Sequence, residues 1–186
     1  MKKIYLASKS PRRRELLTQL GVQFDLVEGE IDETPLADES ATDYVTRLAC
    51  AKAKAGWLNS AQDRAVLGSD TIVVYQNQLL GKPNHQADAV KMLSLLSGKT
   101  HQVLTAVCLQ NAEQTLSELV VSDVTFAELS EPEIIEYWQT GEPVDKAGSY
   151  AIQGIGGQFV VNINGSYSAI VGLPLYETKQ LLAQLR

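Results

Sequence analysis

Val66 to Tyr75 is a long run rich in β-branched and apolar side chains, with Gly68 and Asp70 set inside it. Such a run reads as a β-strand, and what surrounds it decides the fold class. Ile4 to Ala7 is a second, shorter strand. It leads to Ser10-Pro11, an N-cap serine with proline at the first helical position. Leu16, Leu17 and Leu20 form that helix's apolar stripe and Gly21 ends it. Phe24 to Val27 is extended again and runs into the acidic loop Glu28 to Glu33. Ser40 with Asp43 resembles a capping box for a helix through about Ala55. After the long strand, a turn at Gln76-Asn77 precedes Leu79-Leu80 and then Gly81-Lys82-Pro83.

Further along, a helix over Ala87 to Leu96 stops at Gly98. Thr100 to Leu109 and Leu119 to Phe126 read as an antiparallel pair joined through the polar stretch Gln110 to Gln114. Ser130 and Glu133 form another capping box, for a helix ending at Gly141. Gly141 to Gly157 reads as a long loop of the functional kind. Gln158 to Ile163 is a last strand, and Leu175 to Leu185 a last helix with Leu175, Leu182 and Leu185 on one face. Parallel-type and hairpin connections together predict one mixed-sheet α/β domain over residues 1–186, arranged in two lobes.

Composition narrows the function. At 186 residues with 45% hydrophobic side chains, the chain can bury a core without staples. Its net charge of −6 argues against a nucleic-acid partner, which needs a positive field. No stretch approaches the roughly 20 apolar residues of a membrane span, and the apolar stretch after Lys2-Lys3 is too short for a signal-peptide core. These features predict a cytoplasmic protein whose Cys50 and Cys108, set among small and apolar neighbours, stay reduced in core roles. His85 and His101 have no zinc-like partner pattern. Chemistry therefore falls to carboxylates, lysines and arginines.

Ser8-Lys9-Ser10-Pro11-Arg12-Arg13 gathers hydroxyls, guanidiniums and the unpaired N–H groups of a helix start into an anion site. Arginines at a helix N-terminus oppose its dipole and cost stability unless an anion visits. On the helix after Ser40, Lys52 falls between Val45, Leu48 and Ala49 on the apolar stripe, with Arg47 and Lys54 opposite. A lysine there either snorkels, the common case, or faces a negative ligand. Its replacement by Met is expected to cost activity with little loss of stability. Asp70, inside an apolar strand, marks a strand end at a cleft or a functional carboxylate. With Asp32 and Glu33 it could form the oxygen-rich site that Mg²⁺ or Mn²⁺ prefers. Gly81-Lys82-Pro83 is no Walker A loop, and Gly154-Ile155-Gly156-Gly157 matches no dinucleotide fingerprint. Arg12, Arg13, Lys52 and Lys82 as cations, with Asp70 and Glu33 as metal ligands or base, are equipment for phosphoryl chemistry on a polyphosphate.

These segments, with Arg47-Leu48-Ala49, Gly68-Ser69-Asp70-Thr71, Leu96-Ser97-Gly98, His101, Asp145-Lys146-Ala147-Gly148, Tyr150, Ile152-Gln153-Gly154 and Gly172-Leu173-Pro174, resemble the Maf-type nucleoside triphosphate pyrophosphatases over nearly the whole chain. The resemblance implies an inosine-triphosphatase-like mixed α/β fold with a cleft between two lobes, often as a homodimer. It also implies hydrolysis between the α and β phosphates of a nucleoside triphosphate, with a divalent metal required. Asp70 would be proton acceptor or metal ligand, Glu33 a metal ligand, and Ser8, Arg12, Arg13, Lys52 and Lys82 substrate contacts. Arg12, Thr71 and Gln153 resemble the base-choosing residues of the dTTP/UTP branch, whose purpose could be the removal of modified pyrimidine nucleotides. The alternatives are another nucleotide, such as 7-methyl-GTP, or a nucleotide-binding cell-division regulator with little turnover. Ala151 departs from the glycine common in the Tyr-Gly-Ile-Gln run, which touches loop geometry near Gln153.

Overall fold

The caps expected from sequence are the caps that form. In the computed structural model, which describes residues 2–185, Ser10 Oγ accepts from the Arg13 N–H at 3.5 Å and opens α1, Pro11–Gln19. Ser40 Oγ accepts from the Asp43 N–H at 3.1 Å and opens α2, Ala41–Asn59. α2 runs past Ala55 because Gly56 does not end it. A Cβ there would lie 2.8 Å from Ala7 Cβ and 2.9 Å from Val66 Cγ1, so Gly56 is the bare point at which the helix meets strand side chains.

The strands are β1 (Ile4–Leu6), β2 (Phe24–Leu26), β3 (Val66–Tyr75), β4 (Gln78–Leu80), β5 (Thr100–Gln110), β6 (Thr115–Phe126) and β7 (Val160–Asn164). They make one mixed sheet in the order β2-β1-β3-β5-β6-β7, with β4 paired to β3. β1 lies parallel to β2, Ile4 opposite Phe24, and parallel to β3, Tyr5 opposite Val66. β4 pairs antiparallel with β3 through Gln76 and Asn77, both at positive φ, the conformation of a two-residue hairpin turn. β6 and β7 are antiparallel, with an irregularity between Thr125 and Phe126. β6 begins four residues before the expected Leu119, because Asn111 turns the chain by itself: its side chain accepts from the Glu113 and Gln114 N–H groups.

Sequence reading placed three features differently. The last helix, here α6 (Leu175–Ala183), buries Thr178, Leu181 and Leu182, so Leu175 and Leu185 do not centre its face. Gly141 to Gly157 holds three short 3₁₀ segments, Glu142–Asp145, Ala147–Ser149 and Ile155–Phe159. A five-residue helix, α5 (Tyr167–Val171), precedes α6 and was not expected, being too short to show a period. The remaining helices, α3 (Gln86–Leu96) and α4 (Glu131–Gln139), lie where predicted. α3 is capped by His85, whose Nδ1 accepts from the Asp88 N–H at 3.3 Å, and α4 carries the full Ser130/Glu133 box. No helix among the described residues is long and apolar enough to cross a membrane.

Two compact units divide the chain. The first comprises Met1–Thr71, Thr105–Val120 and Gly172–Arg186. In it Tyr5, Ala7 and Val66 pack with Val27 and Trp57, and Cys108 is fully buried, whereas Cys50 on α2 is only half-buried. The second comprises Ile72–Leu104 and Val121–Val171. Its core centres on Phe126, which stacks edge-on with Tyr150 at 4.7 Å and with His101 at 4.9 Å.

Candidate active site

Within the first unit three elements deliver three charged side chains to one place. Gly68 permits it. A Cβ at this position would lie 2.5 Å from both Ala49 O and Ala53 N, so β3 and the α2 backbone approach as only glycine allows. Side chains alternate along a strand, so Val66, Gly68 and Asp70 share the face toward α2. There Lys52 Nζ sits 2.6 Å from Asp70 Oδ1 and 2.6 Å from Glu33 Oε1. Lys52 does not snorkel to solvent: its side chain is 14% exposed and that of Asp70 11%, while Glu33 is 53% exposed at the open side. Burial raises the Tyr44 phenol, and the negative charges of Asp70 and Glu33 add to the rise.

The Glu33 loop is shaped before it is charged. Asp32 Oδ1 accepts from the Thr34 N–H at 2.9 Å and from its hydroxyl at 2.6 Å, so Asp32 closes a turn and does not join Glu33 and Asp70. Two α2 residues pin the loop from below: the Tyr44 hydroxyl donates to Glu33 O at 2.8 Å and Arg47 Nη2 to Thr34 O at 3.2 Å. Arg47 also grips Glu39 bidentately, at 2.5 and 2.7 Å. Sequence reading missed both pins. The signal available was Tyr44 and Arg47 lying about one helical turn apart, off the apolar stripe.

On the opposite face of β3, Arg13 is tied down. Its Nε donates to Gly172 O at 2.8 Å, Nη2 to Thr71 Oγ1 at 3.3 Å and Nη1 to Ser8 Oγ at 3.4 Å. All three acceptors are neutral, so the guanidinium keeps its full charge for a ligand. Burial draws its pKa below the ordinary value and Asp70 pulls the other way, yet an arginine stays protonated in either case. Thr71 is held between Arg13 and Thr105, whose hydroxyl lies 3.0 Å away. The buried Ser69 hydroxyl is shared between Ala106 O at 2.9 Å and Gly172 O at 3.1 Å, which anchors the 172 turn. Ser8 Oγ also accepts from the Ser10 N–H at 3.2 Å, and Arg12 is half-exposed on the first turn of α1, which contains no acidic residue.

Ser8, Arg12, Arg13, Glu33, Lys52, Asp70 and Thr71 thus all belong to the first unit, and Lys82 and Gln153 to the second. Lys82 is exposed just after β4, where Gly81 O accepts from the Gly148 N–H at 3.1 Å and steadies the turn. Gln153 is exposed between the second and third 3₁₀ segments. No group of three or more His, Cys, Asp or Glu side chains is gathered for a metal among the described residues.

The fold is that of a solved nucleotide pyrophosphatase structure. The nucleoside-triphosphatase/dITP/XTP pyrophosphatase of Mycobacterium abscessus superposes with a TM-score of 0.52 at 16% identity, covering 99% of this chain and 95% of that one. The model of the Maf-like protein family matches residues 3–185, and the chain belongs to that family. It is 58% identical over 98% of its length to the dTTP/UTP pyrophosphatase of Pseudoalteromonas atlantica, covering 96% of that protein. It is 55% identical to the dTTP/UTP pyrophosphatase of Vibrio vulnificus and 57% identical to that of Salmonella typhimurium, covering 98% of this chain in each case and 98% and 93% of those proteins.

Proposed function

We propose that the chain is a dTTP/UTP pyrophosphatase that cleaves the α–β phosphoanhydride bond and releases a nucleoside monophosphate and pyrophosphate. The observation that carries this reading is the meeting of Asp70 and Glu33 on one lysine nitrogen, each at 2.6 Å. Two carboxylates brought to one place fit Mg²⁺ or Mn²⁺, which takes one or two carboxylates and fills its shell with water and phosphate. When bound there, the metal would polarise phosphate oxygens and acidify a water. Asp70 is assigned as acceptor of the attacking water's proton, a role supported by its burial beside Lys52. Lys52 and Arg13 neutralise charge as it develops on the phosphates, and Arg12 and Ser8 extend that positive lining at the α1 N-terminus. Lys82 is assigned to the triphosphate by its match to the family pattern.

Base choice is assigned to Gln153, with Arg12 and Thr71. Uracil and thymine present O4 and N3–H, and a glutamine amide can donate to the first and accept from the second. Because an amide can flip to suit cytosine, a donor-only group is also needed, and Arg12 is one. The reaction belongs to the cytoplasm, where the nucleotides are. The test is pyrophosphate release from dTTP, UTP, CTP, ATP and GTP with Mg²⁺ or Mn²⁺. dTTP and UTP should lead in kcat/KM, and equal use of CTP and UTP would remove the base assignment.

A further inference from the structure

The segment that carries Gln153 has little internal support. Within it the Gly154 N–H reaches Ala151 O at 3.2 Å and the Gly157 N–H reaches Gly154 O at 3.1 Å, two turns in succession. One carboxylate holds it from outside. Glu142 Oε1 accepts from the Ile155 N–H at 2.8 Å, and Oε2 accepts from the Gly156 N–H at 2.8 Å and from the Tyr137 hydroxyl at 2.5 Å. The Tyr137 oxygen in turn accepts from the Ala151 N–H at 3.2 Å. Amides on both sides of Gln153 therefore end on one two-residue unit.

That unit is itself fixed. Tyr137 is 2% exposed on the last turn of α4, edge-on to Phe159 at 5.0 Å. Glu142 follows Gly141, whose φ of 77° turns the chain back from the helix end. The approach is close enough to dictate sequence. A Cβ on Gly154 would fall 1.9 Å from Glu142 Oε1, and one on Gly156 would fall 2.5 Å from the Tyr137 hydroxyl. The glycines that fit no dinucleotide fingerprint thus make room for a carboxylate and a phenol of the same chain. Burial pushes the Glu142 carboxyl up, but the hydrogen bonds from Tyr137, Gly156 and Ile155 outweigh it and leave its pKa below the ordinary value.

We propose that Glu142, acting with Tyr137, is a positioning residue for base selection: it holds residues 151–157 in one conformation so that the Gln153 amide meets the pyrimidine in a single orientation. This rests on the assignment of Gln153 to the base. A glutamine on a loose loop would pay ordering entropy on each binding event and could flip to suit cytosine.

Glu142→Gln is close to isosteric but brings one acceptor oxygen for three donors and turns an NH₂ toward an N–H. Tyr137→Phe keeps the ring packing and removes only the hydroxyl, which guards against a misfolded first variant. In each, amide hydrogen exchange at Ala151, Ile155 and Gly156 should quicken. The UTP-to-CTP ratio of kcat/KM should fall about tenfold, through KM for UTP more than through kcat. Gln153→Glu should change that ratio less in the Glu142→Gln background than in the wild type. Faster exchange with an unchanged ratio, unchanged exchange, or fully additive substitutions would each overturn the positioning role. If Gln153→Glu alone leaves the wild-type ranking intact, the base assignment falls first and the proposal with it.

Discussion

Lys52 shows how a single side chain can be read correctly in place and incompletely in role. Its position on the α2 stripe follows from helical periodicity, but its partners lie 19 residues before it and 18 after it, in a loop and a strand, and no periodicity reports such a meeting. The ion pair changes what a substitution should do. With Lys52→Met the Asp70 carboxylate, largely buried, loses its counter-charge and faces Glu33. We expect a loss of about 2 kcal/mol at neutral pH, below the 3–5 kcal/mol of a fully buried pair because Glu33 opens to solvent. Mg²⁺ should restore part of the loss by taking the place of the ammonium between the carboxylates. Urea denaturation of both proteins with and without Mg²⁺ measures this. A variant as stable as the wild type, with no larger response to Mg²⁺, would show that the carboxylates do not share a cationic point.

His101 supplies a second prediction at this scale. It is 1% exposed, its Nε2 lies 2.8 Å from the Tyr150 hydroxyl, and its Nδ1 is buried without a partner among the described residues. Burial pushes its pKa down to about 4. The unfolded chain binds that proton near pH 6.5 and the folded chain only near 4, so stability is complete above pH 6.5 and falls as pH drops between these values. Over that window the residue should cost roughly 3 kcal/mol. In His101→Gln, denaturation between neutral pH and about pH 4 should lose this slope, and a parallel pH dependence in both proteins would refute it.

Among the elements, glycine governs the packing that brings charged groups together. Gly68 is flush with the α2 backbone, so Gly68→Ala must push helix and strand apart and draw Lys52 from Asp70. An overpacked backbone contact of this kind should cost about 3 kcal/mol and most of the activity. Gly81→Ala, where nothing lies within 4 Å of the added Cβ, is the control, and equal melting temperatures for the two would contradict the account. This is also where sequence reading was weakest. Caps such as Ser10, Ser40 and Ser130 announce helix starts because their chemistry is local. The helix expected to stop near Ala55 runs through Gly56 to Asn59, because a missing side chain reads the same whether a turn or a close approach requires it. The hold of Glu142 on residues 151–157 was equally invisible, since its acceptors meet backbone N–H groups that carry no sequence label.

For the molecule as a whole, the α/β class, the succession of strands and helices and the family were legible, because alternating apolar runs and ordered motifs extend over the chain; the order of strands in the sheet was not. Asp70, Glu33 and Lys52 were legible as members of one charged set, but the direct contact of the lysine with both carboxylates was not, and it makes the strongest claim about chemistry. The most direct measurement is product analysis of dTTP hydrolysis by the wild type and by Asp70→Asn with Mg²⁺ or Mn²⁺. The account predicts dTMP and pyrophosphate in equal amounts from the wild type, and a kcat at least about a hundredfold lower for Asp70→Asn with substrate binding retained. Formation of dTDP and orthophosphate, or near wild-type turnover by Asp70→Asn, would contradict it.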